Sequence, residues 1–151
     1  MKDKILKNSN DDNIHEFDCR LELLNTFENS ALGTDYFIKI SYTKFKYLCP
    51  LKGVEDLGEI HIKYIPDKYC LEATSVRPYF YSFATVTIFN EDITNTIIND
   101  LIELLDPNYI EVLVKVNPKN GLSMNSYVNY GKKDSKYEKM ALKRLESNDV
   151  E

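Results

Sequence analysis

The chain has 151 residues, of which 43% are hydrophobic and 28% charged, and its formal net charge at pH 7 is −5. This composition is that of an ordinary soluble domain able to bury one core. The acidic total argues against nucleic-acid binding through bulk charge, although a local basic patch can coexist with it. No apolar run approaches the roughly 18 residues of a membrane span.

The chain begins Met1-Lys2-Asp3-Lys4 and continues with polar residues instead of the apolar core of a secretory signal. We therefore expect a cytoplasmic protein with reduced thiols and no membrane partner. The three cysteines lack the paired spacing of a zinc site and the two histidines lie far apart, so no metal centre is expected. These residues are Cys19, Cys49, Cys70, His15 and His61.

The first 34 residues show no sustained periodicity. Residues 1–13 are polar, which predicts a mobile arm. Residues 14–32 contain scattered apolar positions that fit either a short helix or an irregular segment packed on a neighbour. We therefore divide the chain into an N-terminal arm, residues 1–34, partly mobile, and a single domain, residues 35–148.

Two strands come next. Alternation of Ile38, Ile40 and Tyr42 with polar residues predicts a half-buried strand from Tyr36. After a loop that contains Cys49, the alternation returns in Ile60, Ile62 and Tyr64 and ends at Pro66. The two strands are expected to pair antiparallel across the loop.

Two helices are predicted after the strands. The segment from Leu71 to Ala84 is predicted to form a helix that Ser75 caps. Pro78 is expected in the first turn, where a missing N–H is tolerated. A second helix shows a broad apolar stripe with Glu91 and Asp92 in its first turn, where negative charge suits the helix dipole. The sequence Asp106-Pro107-Asn108 stops it.

The remaining elements are two strands and a tail helix, at Tyr109 to Val116, Leu122 to Val128 and Ser135 to Ser147, with a turn at residues 117–121 between the strands. The order strand, strand, helix, helix, strand, strand predicts an α+β fold, with two helices on one face of a four-stranded antiparallel sheet. Such a sheet leaves its edge strands unpaired, and pairing with other subunits in a ring oligomer would cover them.

Cys49 is a candidate nucleophile, with Asp56 seven residues downstream across the turn residues Pro50 and Gly53. A thiol attacks as thiolate, and a nearby carboxylate is a proton acceptor for it. The alternative is that Cys49 is a small buried hydrophobe, as most free cysteines are. The spacing alone favours this second interpretation.

From Asp35 to Asn148 the chain resembles the QueF family of tunnelling-fold (T-fold) proteins, in its single-module branch. The best-known members are NADPH-dependent 7-cyano-7-deazaguanine reductases. The matching stretches are collinear and comprise Tyr47-Leu48-Cys49-Pro50, Gly53 to Asp56, Tyr64-Ile65-Pro66-Asp67, Asn99 to Pro107, Tyr109-Ile110-Glu111-Val112, Asn129-Tyr130-Gly131-Lys132 and Lys136 to Met140.

The resemblance implies roles for several residues. Cys49 would add to the nitrile of 7-cyano-7-deazaguanine to form a thioimide, and Asp56 would handle the protons. Glu91 matches the glutamate that anchors the deazaguanine base, and we place Glu72 and Asn90 beside it in the substrate site. The family also implies a homo-oligomer, either a pentamer or paired pentamers.

One departure from the reductases lies in their NADPH signature, which begins Glu-Ser-Lys or Glu-Leu-Lys and has a second lysine three residues later. This chain has Thr74 in place of the first lysine, Arg77 in place of the second, and Pro78 next to it. A polyanionic dinucleotide should bind poorly there. If NADPH is used, Arg77 and Ser75 are the candidate contacts.

The second departure is Asn90, which cannot titrate and stands where the reductases have histidine. Together the departures resemble the QueF-like amidinotransferases. These use ammonia and no redox cofactor to convert the nitrile, already in tRNA, into archaeosine. We favour that function, with the basic residues of the tail touching tRNA phosphates. The alternatives are an NADPH-dependent reductase of queuosine biosynthesis and a non-catalytic module that binds a deazaguanine or pterin base.

Overall fold

The computed structural model describes residues 20–147. Within this range the chain forms six strands, three α-helices and two short 3-10 helices. The strands are β1 (Thr26–Glu28), β2 (Ile38–Leu48), β3 (Glu55–Ile65), β4 (Tyr69–Leu71), β5 (Tyr109–Val116) and β6 (Asn125–Gly131). The α-helices are α1 (Ala73–Tyr81), α2 (Asn90–Leu105) and α3 (Lys136–Glu146), and the 3-10 helices are Leu21–Leu23 and Ser82–Thr85.

The main sheet has four antiparallel strands in the order β2-β3-β5-β6. The alternation that predicted β3 is confirmed, because Ile60, Ile62 and Tyr64 are buried on one face of the strand. Side chains of α1 and α2 complete the core on that face, including Phe80 and Ile97. The predicted arrangement of two helices over one antiparallel sheet is therefore confirmed.

Helix α3 covers the opposite face. Its Ala141 packs with Ile65 and Tyr109, and its carbonyl oxygen accepts a hydrogen bond from Asn129 Nδ2 at 2.8 Å. Helix and sheet approach so closely that a Cβ atom built at Gly131 would lie 2.0 Å from the carbonyl oxygen of Tyr137. A glycine is therefore required at this position of β6 if α3 is to dock.

The start of α1 differs from the prediction. Leu71 belongs to β4, which pairs with β1 in a two-stranded sheet, so the helix begins only at Ala73. Ser75 does not cap the helix, because Glu72 is the capping residue and the Ser75 hydroxyl donates to its carbonyl oxygen at 2.7 Å. Pro78 is also misplaced in the prediction, since it lies in the helix interior, where it removes one backbone donor.

The described part of the segment assigned to the N-terminal arm packs on the domain. Leu24 and Asn29 are buried, and Asn29 Nδ2 donates to the carbonyl oxygen of Asp67 at 2.8 Å. This segment contains the first 3-10 helix and β1, which the sequence left open. Residues 1–19, with Cys19, lie outside the described range, as do residues 148–151.

The boundaries of the later elements are close to the predicted ones. Helix α2, strand β5 and helix α3 fall where the sequence placed them, and the Ser135 hydroxyl caps α3 by accepting from the Tyr137 N–H at 3.2 Å. Strand β6 begins three residues later than predicted, at Asn125. No helix within residues 20–147 is both long and apolar enough to cross a membrane.

Glu111 is a buried carboxylate of β5, on the face that α3 covers. The hydroxyls of Tyr109 and Tyr127 each donate to Oε2 at 2.6 Å, and Lys63 and Arg144 lie 3.6 and 3.4 Å from the carboxylate oxygens. Burial alone would raise the pKa of Glu111, but these hydrogen bonds and charges together lower it below its ordinary value. The ionised carboxylate thus joins β3, β6 and α3 to β5.

Replacing Glu111 by Gln is expected to lower the free energy of unfolding at neutral pH by about 2 kcal/mol, the size of a charge-assisted hydrogen bond. A lowered folded pKa contributes stability above the unfolded pKa, and this is lost as the pH falls through the folded value. The wild type should therefore lose more stability than Glu111→Gln between neutral pH and about pH 3, below the ordinary pKa of a glutamate. Urea unfolding at both pH values measures the difference.

The matched control is Glu22→Gln, which alters an exposed carboxylate of the first 3-10 helix. Its unfolding free energy should follow the wild type at both pH values. An acid-induced loss in Glu111→Gln as large as in the wild type would contradict the role given to the Glu111 charge.

Candidate active site

Cys49 lies at the end of β2, in a loop that backbone hydrogen bonds hold closed. Its N–H donates to the carbonyl oxygen of Val54 at 2.9 Å, and its carbonyl oxygen accepts from the Gly53 N–H at 2.8 Å. Just before it, Leu48 bonds to the segment between α1 and α2 through its N–H and its carbonyl oxygen. The predicted turn is therefore confirmed, and Cys49 is a partly exposed free thiol, whereas Cys70 is buried.

Asp56 faces the core side of the sheet. It lies directly opposite Tyr47 in the β2–β3 pairing, on the same face as Ile60 and Ile62. Its side chain is only 14% exposed and forms an ion pair with Lys119. A carboxylate at the end of an otherwise apolar row carries a desolvation cost, which is typical of a functional group.

Tyr47 is a neighbour of the predicted site residue Asp56. Its side chain is buried and lies directly opposite Asp56 across the β2–β3 pairing. Burial raises the pKa of Tyr47 most, and the nearby Asp56, followed by Cys49 and Glu91, raises it further. The phenol of Tyr47 therefore stays protonated beside the Asp56 carboxylate.

Glu91 and Asn90 form the first turn of α2, and their side chains differ in environment. Glu91 is exposed in this chain, so its carboxylate is open to a ligand. Asn90 is 7% exposed, its Nδ2 donates to the Met124 carbonyl oxygen at 3.1 Å, and its Oδ1 accepts from Ser126 Oγ at 2.9 Å. The Asn90 amide thus fastens the start of α2 to β6 and the chain before it, and substrate contact by Asn90 stays a prediction.

The residues of the NADPH signature lie at the start of α1. The Glu72 carboxylate accepts a hydrogen bond from the Thr74 hydroxyl, and Arg77 is exposed. Ser75 is buried, and its hydroxyl accepts from the Asn25 N–H at 3.0 Å in addition to its bond to Glu72. A contact between Ser75 and the cofactor therefore does not fit the structure, because the Ser75 hydroxyl is buried. Arg77 is exposed and can contact a phosphate group.

Sequence reasoning missed Lys119 and gave Tyr47 no role. The pairing of β3 with β5 could have indicated Lys119. Val116 lies opposite Gly58 in this antiparallel pairing, so the chain that follows Val116 runs toward Asp56. No group of three or more His, Cys, Asp or Glu side chains within residues 20–147 is close enough to hold a metal ion.

The described chain is thus an antiparallel sheet covered by helices, with a thiol and a carboxylate near one end of the sheet. A solved structure described as the archaeosine synthase QueF-Like in the apo form matches it with a TM-score of 0.59. The match covers 64% of this chain and 94% of that one at 19% sequence identity. At this identity the likeness shows the fold alone, and it confirms the predicted class, an α+β protein of the tunnelling fold.

Sequence comparison narrows the class to one family. A family model described as "QueF-like protein" matches residues 55–135. A protein of Staphylococcus epidermidis named NADPH-dependent 7-cyano-7-deazaguanine reductase is 47% identical over 141 residues, which cover 93% of this chain and 85% of that protein. A Staphylococcus aureus protein of the same name is 46% identical over the same coverage. The chain therefore belongs to the QueF family, as its motifs predicted, and is an enzyme of that family.

Proposed function

We propose that this enzyme reduces the nitrile of 7-cyano-7-deazaguanine with NADPH, through a covalent thioimide on Cys49. The observation that carries the proposal is that Asp56, a little-exposed carboxylate on the core side, lies at the same end of the β2–β3 hairpin as the partly exposed Cys49 thiol. The sequence departures favoured an amidinotransferase, but relatives 47% and 46% identical carry the reductase name, and they favour the alternative.

The chemistry begins with the thiol of Cys49. Asp56 accepts the thiol proton, the sulfur adds to the nitrile carbon, and the proton passes to the nitrile nitrogen, so that the C–S bond forms without net change of charge. Glu91 accepts hydrogen bonds from the N–H edge of the base and fixes its orientation. NADPH, when bound, would supply the two hydrides that take the nitrile carbon to an aminomethyl group.

Asp56 would also transfer the protons that the later steps require. Asn90 cannot titrate, and its amide is engaged with Met124 and Ser126. Asp56 lies opposite Tyr47 at the start of β3, next to the loop of Cys49, and we infer that it passes protons to the substrate nitrogen. When the C–S bond breaks, the Cys49 thiol is regenerated.

The proposed binding of NADPH depends on Arg77. Its guanidinium is exposed on α1, and a planar fork of donors suits a phosphate group. The Thr74 hydroxyl is bonded to Glu72 and the Ser75 hydroxyl is buried, so Arg77 is the cation of this signature that can contact the cofactor.

A second candidate function is amidine formation on nitrile-bearing tRNA, with ammonia attacking the thioimide in place of hydride. It is favoured by Thr74 and Asn90, which replace the lysine and the histidine of the reductases. Exposed basic residues of α3, including Lys139 and Lys143, would contact tRNA phosphates. This function uses the same thioimide and needs no redox cofactor.

The two functions are separated by following NADPH absorbance with 7-cyano-7-deazaguanine present. We expect nitrile-dependent oxidation of two NADPH per nitrile, because reduction to the amine takes four electrons. Arg77→Met should raise the KM for NADPH about tenfold through the loss of a phosphate contact. The control Lys44→Met, which removes an exposed cation of β2, should leave this KM unchanged.

The opposite result would be no NADPH oxidation together with ammonia-dependent amidine on nitrile-bearing tRNA. That outcome would replace the reductase by the amidinotransferase. If wild-type enzyme gave neither product and no mass shift on Cys49, the non-catalytic base-binding module would be the remaining interpretation.

We further propose that the enzyme works in the cytoplasm as a homo-oligomer, a ring of five subunits or two such rings. In the described chain β2 and β6 are the outer strands of the main sheet. Strand addition from neighbouring subunits would satisfy their outer backbone groups.

A further inference from the structure

Lys119 is held in place by a tight hairpin turn at the end of β5. The Lys119 N–H donates to the carbonyl oxygen of Leu122 and the Leu122 N–H to that of Lys119, both at 2.9 Å. The two residues between them, Asn120 and Gly121, have φ values of 53° and 79°, which define a two-residue turn of the type I′ class. The turn therefore fixes the backbone from which the Lys119 side chain reaches Asp56.

The turn is also tied to β3. The N–H of Asn117 donates to the carbonyl oxygen of Leu57 at 2.8 Å, one residue beyond Asp56. The Lys119 ammonium pairs with the Asp56 carboxylate and lies 3.5 Å from the carbonyl oxygen of Glu55. Lys119 thus contacts the start of β3 from the solvent side, and its own side chain is 51% exposed.

Tyr47 lies directly opposite Asp56 in the β2–β3 pairing, on the core side of the carboxylate. It is 4% exposed and its ring centroid lies 6.1 Å from that of Phe45, so its ring has little freedom. The raised pKa of Tyr47 keeps the phenol protonated and therefore able to donate a hydrogen bond to a carboxylate. Asp56 thus has a neutral donor group on its core side and a cation at the rim.

We propose that Tyr47 and Lys119 are positioning residues that jointly hold the Asp56 carboxylate for proton transfer at Cys49. The inference rests on the proposed thioimide chemistry and adds two residues to it. Proton transfer depends steeply on donor–acceptor geometry, and a displacement of about 1 Å can cost about 100-fold in rate. Removing either contact frees Asp56 to turn without removing the carboxylate.

The test measures thioimide formation directly, as the rate at which full-length enzyme gains the mass of 7-cyano-7-deazaguanine when NADPH is absent. Tyr47→Phe should slow this rate about 10-fold to 100-fold, and Lys119→Met about 10-fold. Lys119→Arg keeps the charge and should stay within about 3-fold of the wild type. The dissociation constant for 7-deazaguanine, which lacks the nitrile, should change less than about 3-fold in all three variants.

Matched controls change the same chemical groups elsewhere. Tyr69→Phe alters an exposed tyrosine of β4, and Lys44→Met an exposed lysine of β2. Both should form the thioimide at the wild-type rate. A merely structural role for Tyr47 or Lys119 would lower the melting temperature or weaken 7-deazaguanine binding instead of slowing adduct formation selectively.

The outcomes separate the inference from the function on which it rests. Wild-type enzyme that forms no adduct overturns both. An adduct that forms at the wild-type rate in Tyr47→Phe and Lys119→Met overturns the inference and leaves the proposed function standing. If Tyr47→Phe does not fold, the contrast between Lys119→Met and Lys119→Arg decides, since equal rates in these two variants refute the role of the Lys119 charge.

Discussion

Replacing Cys49 by Ala is expected to abolish the mass adduct with 7-cyano-7-deazaguanine and to lower nitrile-dependent turnover by about 1,000-fold or more. Loss of the nucleophile removes the covalent step entirely, and such losses are among the largest that single substitutions cause in enzymes. Cys49 lies in a loop fixed by its own backbone hydrogen bonds, so the fold should survive the change. Intact-protein mass spectrometry measures the adduct.

The control for this prediction is Cys70→Ser. Cys70 is 2% exposed and its sulfur lies 3.6 Å from the Tyr36 hydroxyl. Serine at this position should cost stability while leaving the adduct and its stoichiometry unchanged. An adduct that persists in Cys49→Ala, or that disappears in Cys70→Ser while that protein is folded, would remove Cys49 from its assigned role.

The parts of the fold that the sequence predicted are those with enough residues to show a period. Strand β3 is eleven residues long, so its alternation repeats several times, and α2 has sixteen residues over which an apolar stripe is visible. Strands β1 and β4 have three residues each and show no period. Their pairing depends on a contact between distant segments, which local patterns do not encode.

The misplacement of Pro78 has a related cause. Proline is tolerated in the first turn of a helix, and this preference led to the prediction that Pro78 lies in the first turn, although the helix begins at Ala73. In the structure the β1–β4 pairing ends at Leu71, and the helix follows at once. Tertiary packing of Val76, Tyr79 and Phe80 against the sheet holds a helix that local preference disfavours.

The site was less predictable than the fold. Spacing alone favoured a structural role for Cys49, and only the family resemblance gave Cys49 and Asp56 catalytic roles. The polar position of Asp56 in the apolar row of β3 was visible in the sequence but becomes meaningful once the Tyr47 pairing is known. Lys119 is 63 residues from Asp56 along the chain, and its contact follows only from the register of β3 with β5.

Replacing Asp56 by Asn is expected to slow thioimide formation and turnover about 100-fold to 1,000-fold, because a positioned proton acceptor contributes factors of this size. Asn has nearly the shape of Asp and can still accept a hydrogen bond, so the fold should be retained. Unlike Cys49→Ala, this variant keeps the nucleophile. Its adduct should therefore still appear, only slowly.

Alkaline pH provides the readout that distinguishes a lost proton acceptor from a distorted site. Hydroxide can take the thiol proton when Asp56 cannot, so adduct formation in Asp56→Asn should recover as the pH rises. The neighbouring Glu55→Gln is the control, because Glu55 points away from the core, is 50% exposed at its side chain and lies 3.9 Å from Lys46. It should keep the wild-type rate at every pH. A rate in Asp56→Asn that stays low at high pH would mean that Asp56 shapes the site and does not carry the proton.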